Sequence, residues 1–262
     1  MQLTPGIPPE GSVALVTGGT RGLGRDIDQA LLAVGCKVVV LGRAVPEAPV
    51  EGAGGVAEFV ACDVRDPERV AATVETVAAA YGRIDIVVNN AGGSPQAAAD
   101  TASPRFSQAI VGLNLLGPLF VAQAAYPHLR ESGGCIVNIA SVSGVRPSPG
   151  TAIYGAAKAG LLSLTRSLAQ EWGPRVRVNA IVVGLVETEA ADETYGGARG
   201  RTAIGASLPL GRMGRGRDIA DAVLFLCSPQ AAYVSGAQLN VDGGGERPLF
   251  LDIVERHRSG VA

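Results

Sequence analysis

Ser12-Val13-Ala14-Leu15-Val16-Thr17-Gly18-Gly19-Thr20-Arg21-Gly22-Leu23-Gly24 is the stretch whose reading decides the fold. Its first half is a short apolar run with β-branched residues, which predicts a buried strand. Its second half is a glycine-rich turn. A helical pattern follows through Ile27, Ala30, Leu31 and Val34, and Gly35 closes it. Lys37 to Leu41 is the next strand, so the glycines sit inside a strand-turn-helix-strand unit. That context separates a phosphate-binding loop from a chance cluster of glycines. A helix N-terminus presents unpaired N–H groups and a partial positive charge, which suits a pyrophosphate. Glycines remove Cβ atoms where phosphate and backbone must approach closely. No Gly-Lys-Ser/Thr follows, which excludes the mononucleotide P-loop.

The alternation continues outward. Ala57 to Cys62 reads as a strand ending at Asp63, and Pro67 to Tyr81 as a helix opening at Asp66 with Pro in its first turn. Ile84 to Val88 is a strand running into Asn89-Asn90-Ala91-Gly92. Pro104 to about Leu129 is a long helix containing Asn114. Cys135 to Ala140 is a strand ending at Ser141, and Thr151 to Trp172 a helix carrying Tyr154 and Lys158. Val176 to Val182, Arg217 to Cys227 and Ala237 to Val241 complete the series as strand, helix and strand. Near-continuous apolar strands alternating with amphipathic helices predict an α/β fold: a three-layer, doubly wound parallel sheet of about seven strands, the Rossmann fold. With no linker and no fixed-period repeat, residues 1–262 read as a single dinucleotide-binding domain. It has an irregular lead-in (1–11), a loop at 185–216 expected to shape the substrate site, and a tail (246–262). The alternative for 185–216 is a disordered loop. The stretch 42–56, rich in Pro and Gly, reads as a shortened crossover.

Composition narrows the function. The 262 residues are 47% hydrophobic and 18% charged, with a net charge of −2. That balance gives no reason to expect nucleic acid or an anionic membrane as partner. No apolar run approaches the roughly 18 residues of a membrane span, and the N-terminus lacks a secretory pattern. A cytoplasmic protein is expected. Cys36, Cys62, Cys135 and Cys227 are scattered in apolar segments and read as small buried hydrophobes. His128 and His257 are isolated, so no metal site is expected.

Ligands of open α/β sheets bind beyond the carboxyl ends of the strands. Thr17, Asp63, Asn89, Asn90 and Ser141 all lie at or just past such ends. Tyr154 and Lys158, four apart, share one helix face. A cation near a phenol favours the phenolate and lowers its pKa, which would tune Tyr154 for proton transfer. Alone, such a pair is as readily two surface side chains. With these motifs converging on one sheet edge, the chain resembles a short-chain dehydrogenase/reductase from about Gly11 to Gly245. Thr17–Gly24 matches the TGxxxGxG loop and Asn89-Asn90-Ala91-Gly92 the NNAG motif. Asn114, Ser141, Tyr154 and Lys158 match the Asn-Ser-Tyr-Lys tetrad, with Ser141 and Tyr154 thirteen positions apart. Asn179-Ala180 and Gly184-Leu185-Val186-Glu187-Thr188 match the segment over the nicotinamide. The nearest likeness is to β-ketoacyl-acyl-carrier-protein reductases. One departure is Val183-Gly184 in place of the usual Pro-Gly, which implies a less rigid loop there.

The resemblance implies roles. Tyr154 donates a proton to the developing alkoxide, and Lys158 stabilises tyrosinate and holds the nicotinamide ribose. Ser141 hydrogen-bonds the carbonyl oxygen. Asn114 supports a water relay to Lys158, or, on its sequence position alone, is a helix-kink residue bonding to backbone. Gly18, Thr20, Arg21, Gly22, Leu23 and Gly24 cradle the phosphates. Asp63 and Val64 meet the adenine, Asn90, Ala91 and Gly92 line the cofactor, and Gly184, Val186 and Thr188 face the nicotinamide. At the end of the second strand stand Gly42 and Arg43, with no carboxylate for a ribose 2′-OH. Arg43 and Arg21 suit a 2′-phosphate, so NADP(H) is expected over NAD(H), unless Arg43 is simply solvated.

Gly93, Ser94, Ser143, Arg146 and Tyr195 are expected to rim the pocket. Arg199, Arg201, Arg212 and Arg215 either steer an acyl-carrier substrate or are solvated charges. The expected substrate is a small-molecule or acyl-thioester carbonyl, in a homotetramer joined through the long helices and last strand. The alternatives are an NAD-dependent alcohol or hydroxyacyl dehydrogenase, or a non-catalytic nucleotide-binding protein of the same fold. A sugar-nucleotide epimerase is disfavoured by the short C-terminal region.

Overall fold

The computed structural model describes residues 8–189 and 191–258. Most of the expected lead-in (1–7), Ala190 and the last four residues of the tail lie outside the described residues. Seven strands form one parallel sheet: β1 (Val13–Thr17), β2 (Lys37–Gly42), β3 (Glu58–Ala61), β4 (Ile86–Asn89), β5 (Cys135–Ile139), β6 (Arg177–Val183) and β7 (Gln238–Val241). Their order is β7-β6-β5-β4-β1-β2-β3. The winding reverses between β1 and β4, where Val16 pairs with Val40 on one side and Val88 on the other. That crevice is where such sheets bind ligands.

The helices are α1 (Gly22–Ala33), α2 (Pro67–Tyr81), α3 (Pro104–Val111), α4 (Gly117–Ser132), α5 (Ala152–Trp172), α6 (Ala191–Tyr195), α7 (Gly197–Ser207), α8 (Gly216–Cys227) and α9 (Leu249–Arg258). Side chains on a strand alternate between faces, and this alternation builds two cores. Val16, Val40 and Val88 pack with Ile27 and Leu31 of α1 and Ile219 and Val223 of α8. Leu15, Val39, Val87 and Ile136 pack on the opposite face with Val70 and Val74 of α2 and Val121 and Leu129 of α4. Each such side chain taken from water contributes roughly 1.5–3 kcal/mol. Helix starts follow local chemistry. The Asp66 carboxylate accepts from the Arg69 amide at 3.0 Å, and the Ser103 hydroxyl accepts from the Phe106 amide at 3.1 Å. A proline occupies the first turn of each of these helices.

Three departures from the sequence reading concern elements. The long helix from Pro104 is not uniform: a π-helical turn, Gly112–Leu116, joins α3 to α4. Segment 185–216 is not an irregular loop. It folds into α6 and α7, closed by a parallel bridge of Val186–Glu187 with Gly214–Arg215. The expectation that no apolar run reaches spanning length is also corrected, because Pro104–Ser132 is long and apolar enough by composition to cross a membrane. In the fold that apolarity faces the sheet through Val121, Ala122, Ala125 and Leu129. The crossover at 42–56 has no helix, as expected, and forms a small hairpin of Glu51–Gly52 with Gly55–Val56. The four cysteines are free thiols and buried.

Candidate active site

The glycine loop and the Asn89-Asn90-Ala91-Gly92 corner are one construction. The Thr17 hydroxyl accepts from the amides of Asn90 (3.0 Å) and Ala91 (2.9 Å). The Asn90 side chain donates to the carbonyls of Thr17 and Gly18, both at 3.0 Å. Gly18 has φ +67°, and a Cβ there would stand 2.9 Å from Ala91 Cα. Only glycine fits both conditions. Asn90 thus acts through the loop's shape, with its amide held inside the protein. At the N-terminus of α1, the Gly22 amide donates to Glu189 Oε1 at 3.3 Å. The chain's own carboxylate stands in there for an anion, so the cradle fits the phosphates of a dinucleotide. Arg21 and Arg43 are both exposed at its rim.

In the turn after β3, Val64 is buried and Asp63 is gripped by Arg65, which sequence reading did not single out. The Arg65 guanidinium donates at 2.9 Å to Oδ1 and at 2.5 Å to Oδ2. Arg65 holds the Asp63 carboxyl below its ordinary pKa, and Arg43 adds to the effect. An arginine two residues after an aspartate was the available signal.

Beyond β5 lie Ser141, Tyr154 and Lys158. Lys158 is only 3% exposed. Its Nζ donates to the Ile139 carbonyl at 2.7 Å and lies 5.7 Å from the centre of the Tyr154 ring. Desolvation lowers the Lys158 pKa to about 8. The expected direction at Tyr154 is reversed. Burial raises its phenol, while the neighbouring Ser141 hydroxyl pulls it down and Tyr195 pushes it up. The ammonium faces the ring and a backbone carbonyl, so burial outweighs the charge that helical spacing suggested. Ser141 Oγ accepts from the Ser143 amide at 3.1 Å, which fixes its rotamer.

Asn114 lies in the π turn, fully buried. Its side chain donates to the carbonyls of Ile110 (2.9 Å) and Gly93 (3.0 Å) and accepts from the Gly93 amide at 2.9 Å. The backbone-bonding reading therefore describes its contacts. Gly92 lies between it and the lysine: a Cβ there would stand 2.7 Å from Asn114 Oδ1 and 3.2 Å from Lys158 Nζ. Sequence reading missed a second buried network. Asn89 donates to Asn138 at 2.9 Å and to the Pro118 carbonyl at 3.2 Å. Asn138 donates to Thr165 at 2.9 Å. These bonds tie β4, β5 and α4 to α5, the helix that carries Tyr154 and Lys158. Two asparagines at matched strand positions were the signal.

At the mouth, the Ser148 hydroxyl donates to Ser143 at 3.1 Å and shares a hydrogen bond with Thr151 at 2.6 Å. Arg146 Nη2 donates to Glu246 Oε1 at 2.9 Å. Both charges reach Tyr195, whose phenol is raised chiefly by burial, then by Glu246. Arg201 pairs with Asp192, and Arg212 forks onto Asp218 at 2.7 and 2.8 Å, so two of the segment's arginines are held within the chain. Gly184 leaves β6 against Asp242, where a Cβ would stand 2.6 Å from Cα. Val186 is buried in the bridge, and Thr188 is exposed with its carbonyl on the Ala191 amide at 2.9 Å. Among the described residues, no group of three or more His, Cys, Asp or Glu is placed to hold a metal.

A switch-point phosphate cradle beside a buried lysine and a tyrosine defines a dinucleotide-dependent oxidoreductase. Residues 18–246 match the family described as Enoyl-(Acyl carrier protein) reductase. The chain is 35% identical to the 3-oxoacyl-(acyl-carrier-protein) reductase FabG of Thermotoga maritima, covering 90% of this chain and 98% of that one. It is 37% identical to a D-threitol dehydrogenase of Mycolicibacterium smegmatis, over 90% and 93%. The fold superposes on the ligand-free aldohexose dehydrogenase of Thermoplasma acidophilum with a TM-score of 0.84 and 30% identity, covering 90% and 94%. The chain belongs to the short-chain dehydrogenase/reductase family. It is an oxidoreductase acting on CH–OH groups with a nicotinamide cofactor.

Proposed function

We propose that the protein is an NADP(H)-dependent reductase of a carbonyl substrate of the 3-oxoacyl-thioester type, working as a homotetramer. The observation that carries this reading is the convergence of Ser141, Tyr154 and Lys158 beyond β5, next to the glycine cradle. When bound, the nicotinamide supplies or accepts the hydride. Gly18, Thr20, Arg21, Gly22, Leu23 and Gly24 would hold its phosphates, with Arg43 toward a 2′-phosphate and Asp63 and Val64 toward the adenine. Asn90, Ala91 and Gly92 line the middle, and Gly184, Val186 and Thr188 the nicotinamide end. Ser141 donates to the carbonyl oxygen and stabilises the charge that develops there. Tyr154 passes its phenolic proton to the same oxygen. Lys158, charged at neutral pH, stabilises the phenolate left behind. Asn114 holds Gly93, and through Gly92 the wall against which Lys158 rests.

The test is Tyr154→Phe. We expect NADPH binding within about twofold of wild type and turnover down by roughly 10²–10⁴-fold. Turnover near wild type would remove Tyr154 from the chemistry. A second reading, an NAD-dependent dehydrogenase of a polyhydroxylated substrate, is favoured by the hydroxyl-rich mouth of Ser143, Ser148, Thr151 and Tyr195. It is also favoured by the likeness to D-threitol and aldohexose dehydrogenases. Oxidation of a polyol panel with NAD, set beside reduction of 3-oxoacyl thioesters with NADPH, separates the two.

A further inference from the structure

The first turn of a helix carries amide groups with no partner inside the helix. In α1 the residue before the helix, Arg21, offers no side-chain cap, and the first turn contains no acidic residue. The anion that meets this terminus comes from 167 residues away. Glu189 Oε1 accepts from the Gly22 amide at 3.3 Å. Its other oxygen lies 3.6 Å from where a Cβ on Gly22 would stand. Glu189 directly follows Thr188 and lies just ahead of α6 and α7. A second carboxyl faces it from α1. Asp26 is packed against Gly216 at the start of α8, and burial, then the charge of Glu189, raises its pKa. Glu189 thus occupies the terminus that the family uses for a pyrophosphate.

We propose that Glu189 is a built-in competitor for the phosphate cradle: its carboxylate ties the 185–216 segment to the N-terminus of α1, and the cofactor's pyrophosphate takes over the Gly22 amide and displaces that carboxylate, while Val186 and Thr188 pass to the nicotinamide end. Two like charges cannot share one amide terminus without cost. Cofactor entry and repositioning of α6 and α7 are therefore a single event, and Glu189 lowers cofactor affinity while it keeps the segment docked. The inference rests on the nicotinamide cofactor lying at this cradle.

The experiment compares wild type with Glu189→Gln, which keeps size and a hydrogen-bond acceptor but loses the charge, and with Glu189→Ala, which loses both. NADPH and NADH affinities are measured by calorimetry. Docking of the segment is read from the rate of tryptic cleavage at Arg199, without and with saturating cofactor. We expect both variants to bind the preferred cofactor roughly two- to fivefold more tightly, the worth of one exposed charge at a helix terminus. Without cofactor, both are expected to be cleaved at least twofold faster than wild type, and the difference disappears at saturation. Inorganic pyrophosphate, used as a probe, is expected to speed wild-type cleavage toward the variant rate. Equal or weaker cofactor binding in both variants, or cleavage unchanged by the substitutions, overturns the inference. Failure of wild type to bind either dinucleotide overturns instead the cofactor reading beneath it.

Discussion

Lys158 and Tyr154 hold their protons in an order that the proposed mechanism turns into a direction of chemistry. Burial brings the lysine down to about 8 and takes the phenol above its ordinary value. Near pH 7 both are protonated, so the pair stands ready to donate. The first proton to leave, near pH 8, belongs to the pair rather than to either residue. In the proposed mechanism, reduction uses the fully protonated pair, and oxidation uses the pair that has lost one proton. For reduction, kcat/KM is therefore expected to be level below about pH 8 and to fall roughly tenfold per unit above it. For oxidation it is expected to rise over the same interval and then level off. Profiles in both directions check this, and reduction that stays level to pH 10 would exclude the lysine's ionisation from the mechanism. These residues were legible in the sequence because the glycine loop, the Asn-Asn-Ala-Gly corner and the tetrad spacing agree with one another. The direction of the Tyr154 shift was not legible. Four-residue spacing puts two side chains on one helix face, but it says nothing about which carbonyl the ammonium meets or how much water remains.

Helix α1 carries a load that its sequence pattern does not reveal. Asp28 is fully buried against Gly19, and neither carboxylate oxygen has a hydrogen-bond partner. Desolvation raises its pKa well above the ordinary carboxylate value. In the unfolded chain the same group loses its proton near pH 4. Above that pH the folded state binds more protons than the unfolded one, so this group's contribution to stability falls as pH rises. Asp28→Ala is expected to stabilise the protein by about 1–3 kcal/mol at pH 8, with a smaller gain at pH 5. Urea denaturation at the two pH values measures it, and a loss of stability at pH 8 would mean that the carboxyl has a partner. Other elements escaped the sequence for related reasons. The pattern from Pro104 to Leu129 runs on through the π turn because the turn itself, Gly112-Leu113-Asn114-Leu115-Leu116, is apolar apart from Asn114. In α7 only Gly205 is buried, so no amphipathic period marked it as a helix. The strands, by contrast, were legible as continuous apolar runs, because helices cover both faces of the sheet.

The proposed cofactor surface belongs to the whole molecule, since it draws on the 18–24 loop, the end of β4, the turn after β3 and the 184–189 segment. Anything that binds all of them in the folded state stabilises the fold by mass action. At a hundred times its Kd a ligand adds about 2.7 kcal/mol, and each kcal/mol raises Tm by about 2–4 °C in a domain of this size. NADPH at that excess is expected to raise Tm by roughly 5–11 °C, and NADH at the same concentration by clearly less. The difference is assigned to Arg43, which is exposed beyond Gly42 and has no carboxylate at the end of β2 to oppose a 2′-phosphate. Arg43→Ala is therefore expected to leave the Tm of the free protein unchanged. The NADPH shift should fall to the NADH level, and the NADH shift should stay where it was. A guanidinium on a phosphate contributes roughly 1.5–3 kcal/mol, so the lost shift is measurable by scanning fluorimetry. An NADH shift equal to or larger than that of NADPH in wild type would reverse the cofactor assignment. An Arg43→Ala variant that keeps its NADPH advantage would move the 2′-phosphate contact to Arg21, the other exposed guanidinium at the cradle.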